Sequence, residues 1–330
     1  METTVYLLLS LLLVLTGCIY GEGDAMDSYR GSGEPLFVAI DKSTTNSRSY
    51  FSTDGSKWQS GGDLNIGAHS ITYGNGYFLA VGNNYSLSKS RDGITWQPYN
   101  AVGVTGKFEL IEYQEGIYIA SIEVGAEEYH IIYSHDGINW HVGIEADGRL
   151  DGLSYGNGIF FACGKGDTTD ITYYYSSDGI NWQTGYIDDT TLFDVVFGNT
   201  LFIAGGRNTA SDTVAMFSSL NPHAWSENLV IGLDSEITGI VYGNKRFVAL
   251  ISNAEVLLSQ TGFDWNGPIS IPAAAGLTGH KIIFGNGRFI AICKVSGDAN
   301  YIFHSENGYD WSGNVAHPDM TSIKDIAFRP

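Results

Sequence analysis

Basic residues are scarce in this sequence, and their scarcity excludes one class of function. The 330 residues include 17 lysines and arginines against 36 aspartates and glutamates, which gives a formal net charge of −19. A nucleic-acid-binding protein needs a basic surface that neutralises phosphates, and this chain has none to offer. An anionic membrane surface would repel the folded body for the same reason. We therefore expect no nucleic-acid partner.

Cysteine is scarcer still, with 3 in the chain. Cys163 and Cys293 lie in the apolar patterns FFACG and FIAIC, which favour two buried free thiols over a disulfide and offer no zinc-ligand spacing. The patterns Gly-x-Ser-x-Gly and HExxH are absent, and so is a glycine-rich phosphate loop followed by a helix. We expect no cofactor, no metal and no catalytic residue, although scattered histidines leave open a metal site built from distant parts of the chain.

The third cysteine, Cys18, follows an apolar run from Val5 to Leu15 that has the length of a signal-peptide core. The segment Leu15-Thr16-Gly17-Cys18 resembles the lipobox of bacterial lipoproteins. This resemblance implies a signal peptide over residues 1–17, a lipid on Cys18, and a place in the cell envelope, with the outer membrane or cell surface favoured. A plain secretory signal with a chance cysteine is the alternative. Residues 18–34 are polar and glycine-rich, and we expect a flexible tether.

Tryptophan is the residue that reveals the architecture. All 7 tryptophans end a copy of one short motif, and the copies recur about every 42 residues: STDGSKW (52–58), SRDGITW (90–96), SHDGINW (134–140), SSDGINW (176–182), SLNPHAW (219–225), SQTGFDW (259–265) and SENGYDW (305–311). Between them lie alternating apolar runs joined by Gly/Asn turns, as in ITYGNGYFLAVG (71–82), which is a hairpin signal. A repeat of this length with short strands is typical of a β-propeller.

The two ends of the chain predict how the ring closes. The pattern starts at PLFVAI (35–40), the second strand of a blade, and ends at DIAFRP (325–330), a first strand without its partner. We predict an all-β fold: one seven-bladed β-propeller over residues 35–330, with four antiparallel strands per blade. The C-terminal strand should join the first blade and so remove the exposed sheet edges.

The Asp-Gly pair in the repeat is interpreted as a structural turn. Glycine tolerates positive φ, and the side chain before it accepts hydrogen bonds from turn amides. The predicted turn residues are Asp54, Asp92, Asp136, Asp178 and Asn307. Asn221 and Thr261 stand at the same position in the two other copies, and a threonine could not replace a catalytic or metal-binding carboxylate.

These motifs resemble the Asp-box (BNR-like) repeats of sialidase-type propellers and the related repeats of photosystem II assembly-factor-like proteins. The resemblance covers about residues 35–330, although the usual Asp-box has one more residue between aspartate and tryptophan. It implies the fold and is nearly silent on function. A sialidase would need three arginines from different blades, and only Arg149 and Arg207 fall in variable loops.

Repeat lengths predict which face of the ring binds a partner. The hairpin turns and Asp-Gly turns keep nearly constant length, whereas the loops of the opposite face vary, and binding usually resides on such loops. These loops are also acidic. The candidate binding residues are Glu127, Glu128, Glu145, Asp147, Arg149, Tyr186, Asp188, Asp189 and Arg207.

The predicted function is a non-catalytic, membrane-anchored binding or scaffold propeller that takes a protein or carbohydrate partner and acts as a monomer. An assembly factor for a membrane complex is one alternative, and a sialidase-like glycan hydrolase is a less favoured one.

Overall fold

The computed structural model describes residues 33–166, 172–228, 233–272, 276–295, 300–315, 319–320 and 322–330. Within these ranges the chain forms 28 β-strands and no helix, arranged as seven four-stranded antiparallel sheets. The predicted seven-bladed propeller is confirmed. Residues 1–32 lie outside the described part, and with them Cys18, the predicted signal peptide and most of the predicted tether. No helix in the described ranges is long and apolar enough to cross a membrane.

The strands of each blade run from the ring axis outward, and their bounds are as follows. Blades 1 to 4 comprise β28 (Ile323–Arg329), β1 (Leu36–Asp41), β2 (Arg48–Ser52) and β3 (Gln59–Asp63); β4 (Ala68–Gly74), β5 (Tyr77–Gly82), β6 (Ser86–Ser90) and β7 (Gln97–Asn100); β8 (Lys107–Gln114), β9 (Ile117–Gly125), β10 (Glu128–Ser134) and β11 (His141–Ala146); β12 (Gly148–Gly156), β13 (Ile159–Gly166), β14 (Tyr173–Ser176) and β15 (Gln183–Gly185). Blades 5 to 7 comprise β16 (Thr190–Gly198), β17 (Leu201–Asn208), β18 (Thr213–Ser219) and β19 (Ser226–Asn228); β20 (Ile237–Gly243), β21 (Arg246–Ile251), β22 (Glu255–Ser259) and β23 (Asn266–Ser270); β24 (Thr278–Gly285), β25 (Arg288–Lys294), β26 (Asn300–Ser305) and β27 (Ser312–Val315).

The C-terminal strand closes the ring as the sequence predicts. β28 pairs antiparallel with β1, with Phe37 opposite Phe328 and Ala39 opposite Ile326. The Phe328 ring also covers Gly285, the last residue of the neighbouring inner strand, where a Cβ would lie 2.4 Å from the ring. The same relation joins Gly243 to Phe284, so β28 occupies the position of any other inner strand.

The hydrophobic core is divided among the spaces between neighbouring blades. One cluster joins Leu36, Val38 and Phe51 of blade 1 to Phe78 and Trp96 of blade 2. Burying such apolar and aromatic side chains is the main favourable contribution to folding. Cys163 and Cys293 are buried free thiols inside these layers, as predicted.

Strand direction gives the propeller two distinct faces. The turns between first and second strands and the Asp-Gly turns between third and fourth strands lie at one face, which we call the turn face. The loops between second and third strands, and the connections from one blade to the next, lie at the other, which we call the loop face. The nine candidate binding residues are all on the loop face: Glu127, Glu128, Glu145, Asp147, Arg149, Tyr186, Asp188, Asp189 and Arg207.

Candidate functional site

Every inner strand carries a β-bulge at the same point. In each case the pairing with the second strand slips by one residue, and the extra residue is the fifth before the strand's last residue. The seven bulge residues are His69, Glu109, Asp151, Phe193, Thr238, His280 and Lys324. A bulge leaves one residue unpaired and re-aims its side chain, which is why bulges occur beside functional sites.

The seven bulge residues surround one cavity. All of them are half-buried, and all line a cavity of about 350 Å³ that is enclosed by the seven inner strands near the loop face. This axial cavity is also lined by residues beside the bulges, among them Arg149, Asp194, Glu236, Lys281 and Asp325. It lies within the size range of small-molecule sites.

Three of the residues that follow a bulge, Asp325, Ser70 and Asp194, fasten one blade to the next through hydrogen bonds. The Asp325 carboxylate accepts hydrogen bonds from the Ser70 hydroxyl at 2.7 Å and from the Ile71 amide at 3.0 Å. The Ser70 hydroxyl in turn accepts one from the Ile111 amide at 3.2 Å. Across the ring, Asp194 accepts from the Ile240 amide at 2.7 Å. These contacts hold the inner strands, and hence the cavity wall, in fixed positions.

Most charges of the cavity are already paired. Lys281 lies 3.0 Å from Asp325, Arg149 lies 2.5 Å from Asp151, and Glu109 pairs with Lys107. Two charges are exceptions: neither the Lys324 ammonium nor the Glu236 carboxylate makes an ion pair or hydrogen bond with any residue in the described part of the chain. Burial lowers the pKa of Lys324, the Asp325 and Glu109 carboxylates oppose this by attraction, and Arg149 and Lys107 lower it by weaker repulsion.

Burial shifts the protonation of carboxyl groups along the axis. It raises the pKa of Asp194 to about 6 and that of Glu112, which is three residues past the Glu109 bulge, to about 7. Glu109 behaves in the opposite way. Burial opposes its ionisation, but the nearby His69 imidazole, 3.8 Å away, and the ion pair with Lys107 hold its pKa at about 2. Burial lowers the pKa of His280 to about 4, so this imidazole is neutral at pH 7.

The cavity presents both hydrogen-bond donors and hydrogen-bond acceptors that lack a partner. His69 Nδ1 and Asp151 Oδ2 are buried without a hydrogen-bond partner in the described residues, and Lys324 offers a free donor. Such orphaned groups cost free energy unless a ligand or water satisfies them. No set of three or more histidine, cysteine or carboxylate residues in the described ranges has the arrangement of a metal site. The arrangement suits binding of a polar ligand group.

The residues expected from sequence only partly coincide with this cavity. Of the nine candidate residues, Arg149 alone lines the cavity. Glu236, which precedes β20 and was not among the nine, lines it too. Arg207 pairs instead with Asp212 at 2.5 Å. Glu127 and Glu128 lie at the β9–β10 turn, Glu145 and Asp147 lie near the β11–β12 connection, and Tyr186, Asp188 and Asp189 lie in the β15–β16 connection. The loop face thus carries a rim of acidic residues around the cavity. The cavity itself is lined mainly by the inner strands and not by these loops.

The Asp-Gly residues form turns on the opposite face. Asp54, Asp92, Asp136 and Asp178 each accept hydrogen bonds through Oδ1 from the amides two and three residues later, and Asn307 does the same. The Thr261 hydroxyl accepts the equivalent pair, and Asn221 accepts one from His223. A side-chain amide or a hydroxyl can therefore replace the carboxylate at this position. A structural turn tolerates that replacement, whereas a catalytic role for the carboxylate would not.

Sequence reasoning missed all seven bulge residues as candidates for the site. They share a position and no chemical type, so a search for repeated residues passes over them. Once the structure gives the position of one bulge, counting five residues back from the end of each inner strand locates all seven.

No protein-family model matches this sequence, and no curated protein sequence does either. Solved structures do resemble the fold. A streptogramin B lyase has a TM-score of 0.63 at 12% identity, covering 79% of this chain and 87% of that one. YCF48 bound to a D1 peptide gives 0.58 at 15%, covering 86% and 93%. The WD40 propeller domain of Doa1 gives 0.57 at 13%, covering 79% and 86%. At such low identity these structures show the propeller fold alone, which a lyase, a peptide-bound protein and a WD40 domain share.

Proposed function

We propose that this protein is a non-catalytic binding propeller that receives a protein or peptide partner at the axial cavity of its loop face. The observation that carries the proposal is the set of seven bulge residues, whose side chains all line one cavity. The acidic rim around the cavity would attract a basic partner and speed the encounter. The fold likeness to YCF48 bound to a D1 peptide is in keeping with a peptide ligand.

The chemistry of the described residues favours binding over catalysis. The Ser70 hydroxyl is held by Asp325 in the contact between blades. Burial raises the pKa of both Cys163 and Cys293, which disfavours the reactive thiolate. Arg149 is the one arginine of the described ranges that lines the cavity, so the three-arginine clamp of a sialidase has no counterpart there.

The cellular setting rests on the N-terminal sequence. We propose that Cys18 carries a lipid and anchors the propeller in the bacterial envelope, at the outer membrane or cell surface, by way of the tether over residues 18–34. Mass spectrometry of membrane-extracted protein should find a lipidated N-terminal Cys18, and Cys18→Ala should leave the precursor uncleaved. An intact, unmodified N-terminus in the wild-type protein would rule the anchor out.

Site-specific photo-crosslinking tests the binding face. A photoreactive phenylalanine derivative placed at Tyr186, an exposed position on the loop face, should capture the partner in intact cells. The same group at His135, exposed in an Asp-Gly turn on the opposite face, is the matched control and should capture nothing specific. Adding Lys324→Met, which removes the free donor of the cavity and keeps the length of the side chain, should weaken the Tyr186 adduct while the protein stays folded. Adducts from His135 alone, or Tyr186 adducts that Lys324→Met leaves unchanged, would contradict the proposal.

A further inference from the structure

The turn face carries an apolar sector that a purely structural role does not require. The three motif copies that depart from Asp, at Asn221, Thr261 and Asn307, belong to neighbouring blades 5, 6 and 7. The same three turns expose large apolar side chains: Leu220 is 64% exposed, Phe263 54% and Tyr309 45%. Tyr309 follows the turn glycine of blade 7, where blades 1 to 4 have Ser56, Ile94, Ile138 and Ile180.

A groove between blades 6 and 7 lies in this sector. It has a volume of about 300 Å³ and is lined by the third strand and turn of blade 6, by Arg246 and by Tyr309 of blade 7. Arg246 lies 5.1 Å from the centre of the Tyr309 ring and donates from Nη1 to the Asn307 carbonyl at 2.6 Å. The groove thus has an aromatic ring in one wall, held in place by a guanidinium group.

Three planar polar side chains of the groove are free to form hydrogen bonds with a ligand. Gln260, Asp264 and Asn266 line it, and their side chains make no hydrogen bond or ion pair within the described ranges. Amide and carboxylate groups of this kind can donate to or accept from two neighbouring hydroxyls at once. Arg246 and Asp264 are its only charged lining residues in the described structure, one of each sign, so the groove has no net formal charge.

We propose that this groove binds a neutral sugar ring. The C–H face of a pyranose is apolar and stacks on an aromatic ring such as Tyr309, while its hydroxyls need planar donors and acceptors around the edge. The absence of net charge favours a neutral sugar over a uronate or a phosphate. The site is separate from the axial cavity, which lies toward the opposite face.

The next groove along the ring serves as an internal comparison. Between blades 7 and 1 the same positions form a smaller cavity of about 260 Å³, lined by Arg288 in place of Arg246 and by Asp310 in place of Asp264. Here Arg288 is paired with Glu306 at 3.2 Å, and the position equivalent to Tyr309 is Ser56. This second groove has no ring at the position of Tyr309, so we expect sugar binding at the first groove alone.

Methyl pyranosides provide the test. The methyl glycosides of glucose, galactose, mannose and N-acetylglucosamine would be titrated into the folded protein and followed by saturation-transfer NMR, with glucuronic acid as the charged comparison. At least one neutral glycoside should bind with a Kd near 1 mM, as expected for a single ring with few contacts. Tyr309→Ser, which copies the neighbouring groove, should weaken binding at least about tenfold. Asp264→Ala should weaken it as well.

Phe263→Ser is the matched control, because Phe263 is more exposed than Tyr309, lies in the same sector and does not line the groove. It should leave the Kd unchanged. The proposal is overturned if none of the four glycosides binds, if glucuronic acid binds more tightly than all of them, or if Tyr309→Ser and Phe263→Ser have equal effects. None of these results bears on the axial cavity, which the crosslinking experiment tests independently.

Discussion

The Lys281 ammonium lies 3.0 Å from the Asp325 carboxylate, and this ion pair joins the inner strand of blade 7 to the C-terminal strand of blade 1. Asp325 also accepts hydrogen bonds from Ser70 and Ile71 of blade 2. One buried carboxylate therefore connects three blades at the point where the ring closes. Lys281 and the hydrogen bonds keep the pKa of Asp325 below its usual range, although burial opposes this.

Lys281→Met should destabilise the propeller, because it leaves the Asp325 charge buried without a partner. Breaking a buried ion pair from one side costs about 3–5 kcal/mol. A carboxyl group whose pKa is lowered in the folded state stabilises above its unfolded pKa, near 4, and loses that contribution as the pH falls through the folded pKa. Urea unfolding at pH 7 should thus reveal a large loss that shrinks near pH 3. The double variant Lys281→Met/Asp325→Asn should recover part of it at pH 7. An equal loss at both pH values would point to packing and not to charge.

Deleting residues 322–330 should cost far more than trimming a chain end usually does. The deletion removes the inner strand of blade 1, including buried Ile326 and the Phe328 ring, which lies 4.7 Å from that of Phe37. Two such side chains are worth roughly 3–6 kcal/mol, out of a typical domain stability of about 5–15 kcal/mol. Thermal unfolding checks this, with removal of the exposed Pro330 alone as the control. Melting within a couple of degrees of the full chain would mean that the closing strand is dispensable.

The fold was predictable from sequence because its signals repeat. Each Trp motif fixes a turn, and each Gly/Asn turn fixes a hairpin, so one blade confirms another. The axial cavity was not predictable in this way, because its bulge residues are as different as Phe193, Thr238 and Lys324. A bulge depends on how two strands pair, and this register is invisible in the residue types alone. Loop length favours the loop face as the binding face, since it reports where the scaffold tolerates variation, and this assignment stays a prediction.

In the motif turns, an aspartate and an asparagine three residues apart form a hydrogen bond, and their order in blade 7 is the reverse of that in blade 4. In blade 4 the Asp178 carboxylate accepts a hydrogen bond from the Asn181 side chain at 2.8 Å, whereas in blade 7 Asn307 donates to Asp310 at 2.8 Å. Asn307→Asp would place two carboxylates together and remove the donor, so we expect a loss of about 0.5–2 kcal/mol, the range of other capping losses. Adding Asp310→Asn should restore stability at pH 7. If the double variant is no more stable than Asn307→Asp, the two side chains are not coupled.

Glu112→Gln should stabilise the protein at high pH but not at low pH. Burial raises the pKa of Glu112 to about 7 against the attraction of Lys281, with Asp325 and Asp194 adding repulsion. The folded state therefore binds more protons than the unfolded state between about pH 4.5 and 7, and this group makes stability fall as the pH rises through that window. Glutamine removes that term, so the variant should exceed the wild type at pH 8 by an amount on the order of 1 kcal/mol, with no gain at pH 5. The control, Glu127→Gln at an exposed position, should show no such pH-dependent gain in stability. A variant that is less stable at both pH values would place the ionised Glu112 among the stabilising groups.

Neutralising the acidic rim should alter association and leave stability nearly unchanged. Asp188→Asn with Asp189→Asn, on the loop face, should shift the melting temperature very little, because exposed charges contribute little to stability. Association with a basic partner should slow, and its dependence on salt should flatten, because rim charges act mainly on the encounter rate. The partner recovered by crosslinking would be titrated at two ionic strengths. Asp136→Ala on the turn face is the comparison, since it should lose about 0.5–2 kcal/mol of stability as a removed cap and keep its full association rate. If that turn variant loses binding while folded and the rim variant keeps it at both salt concentrations, the partner binds the turn face.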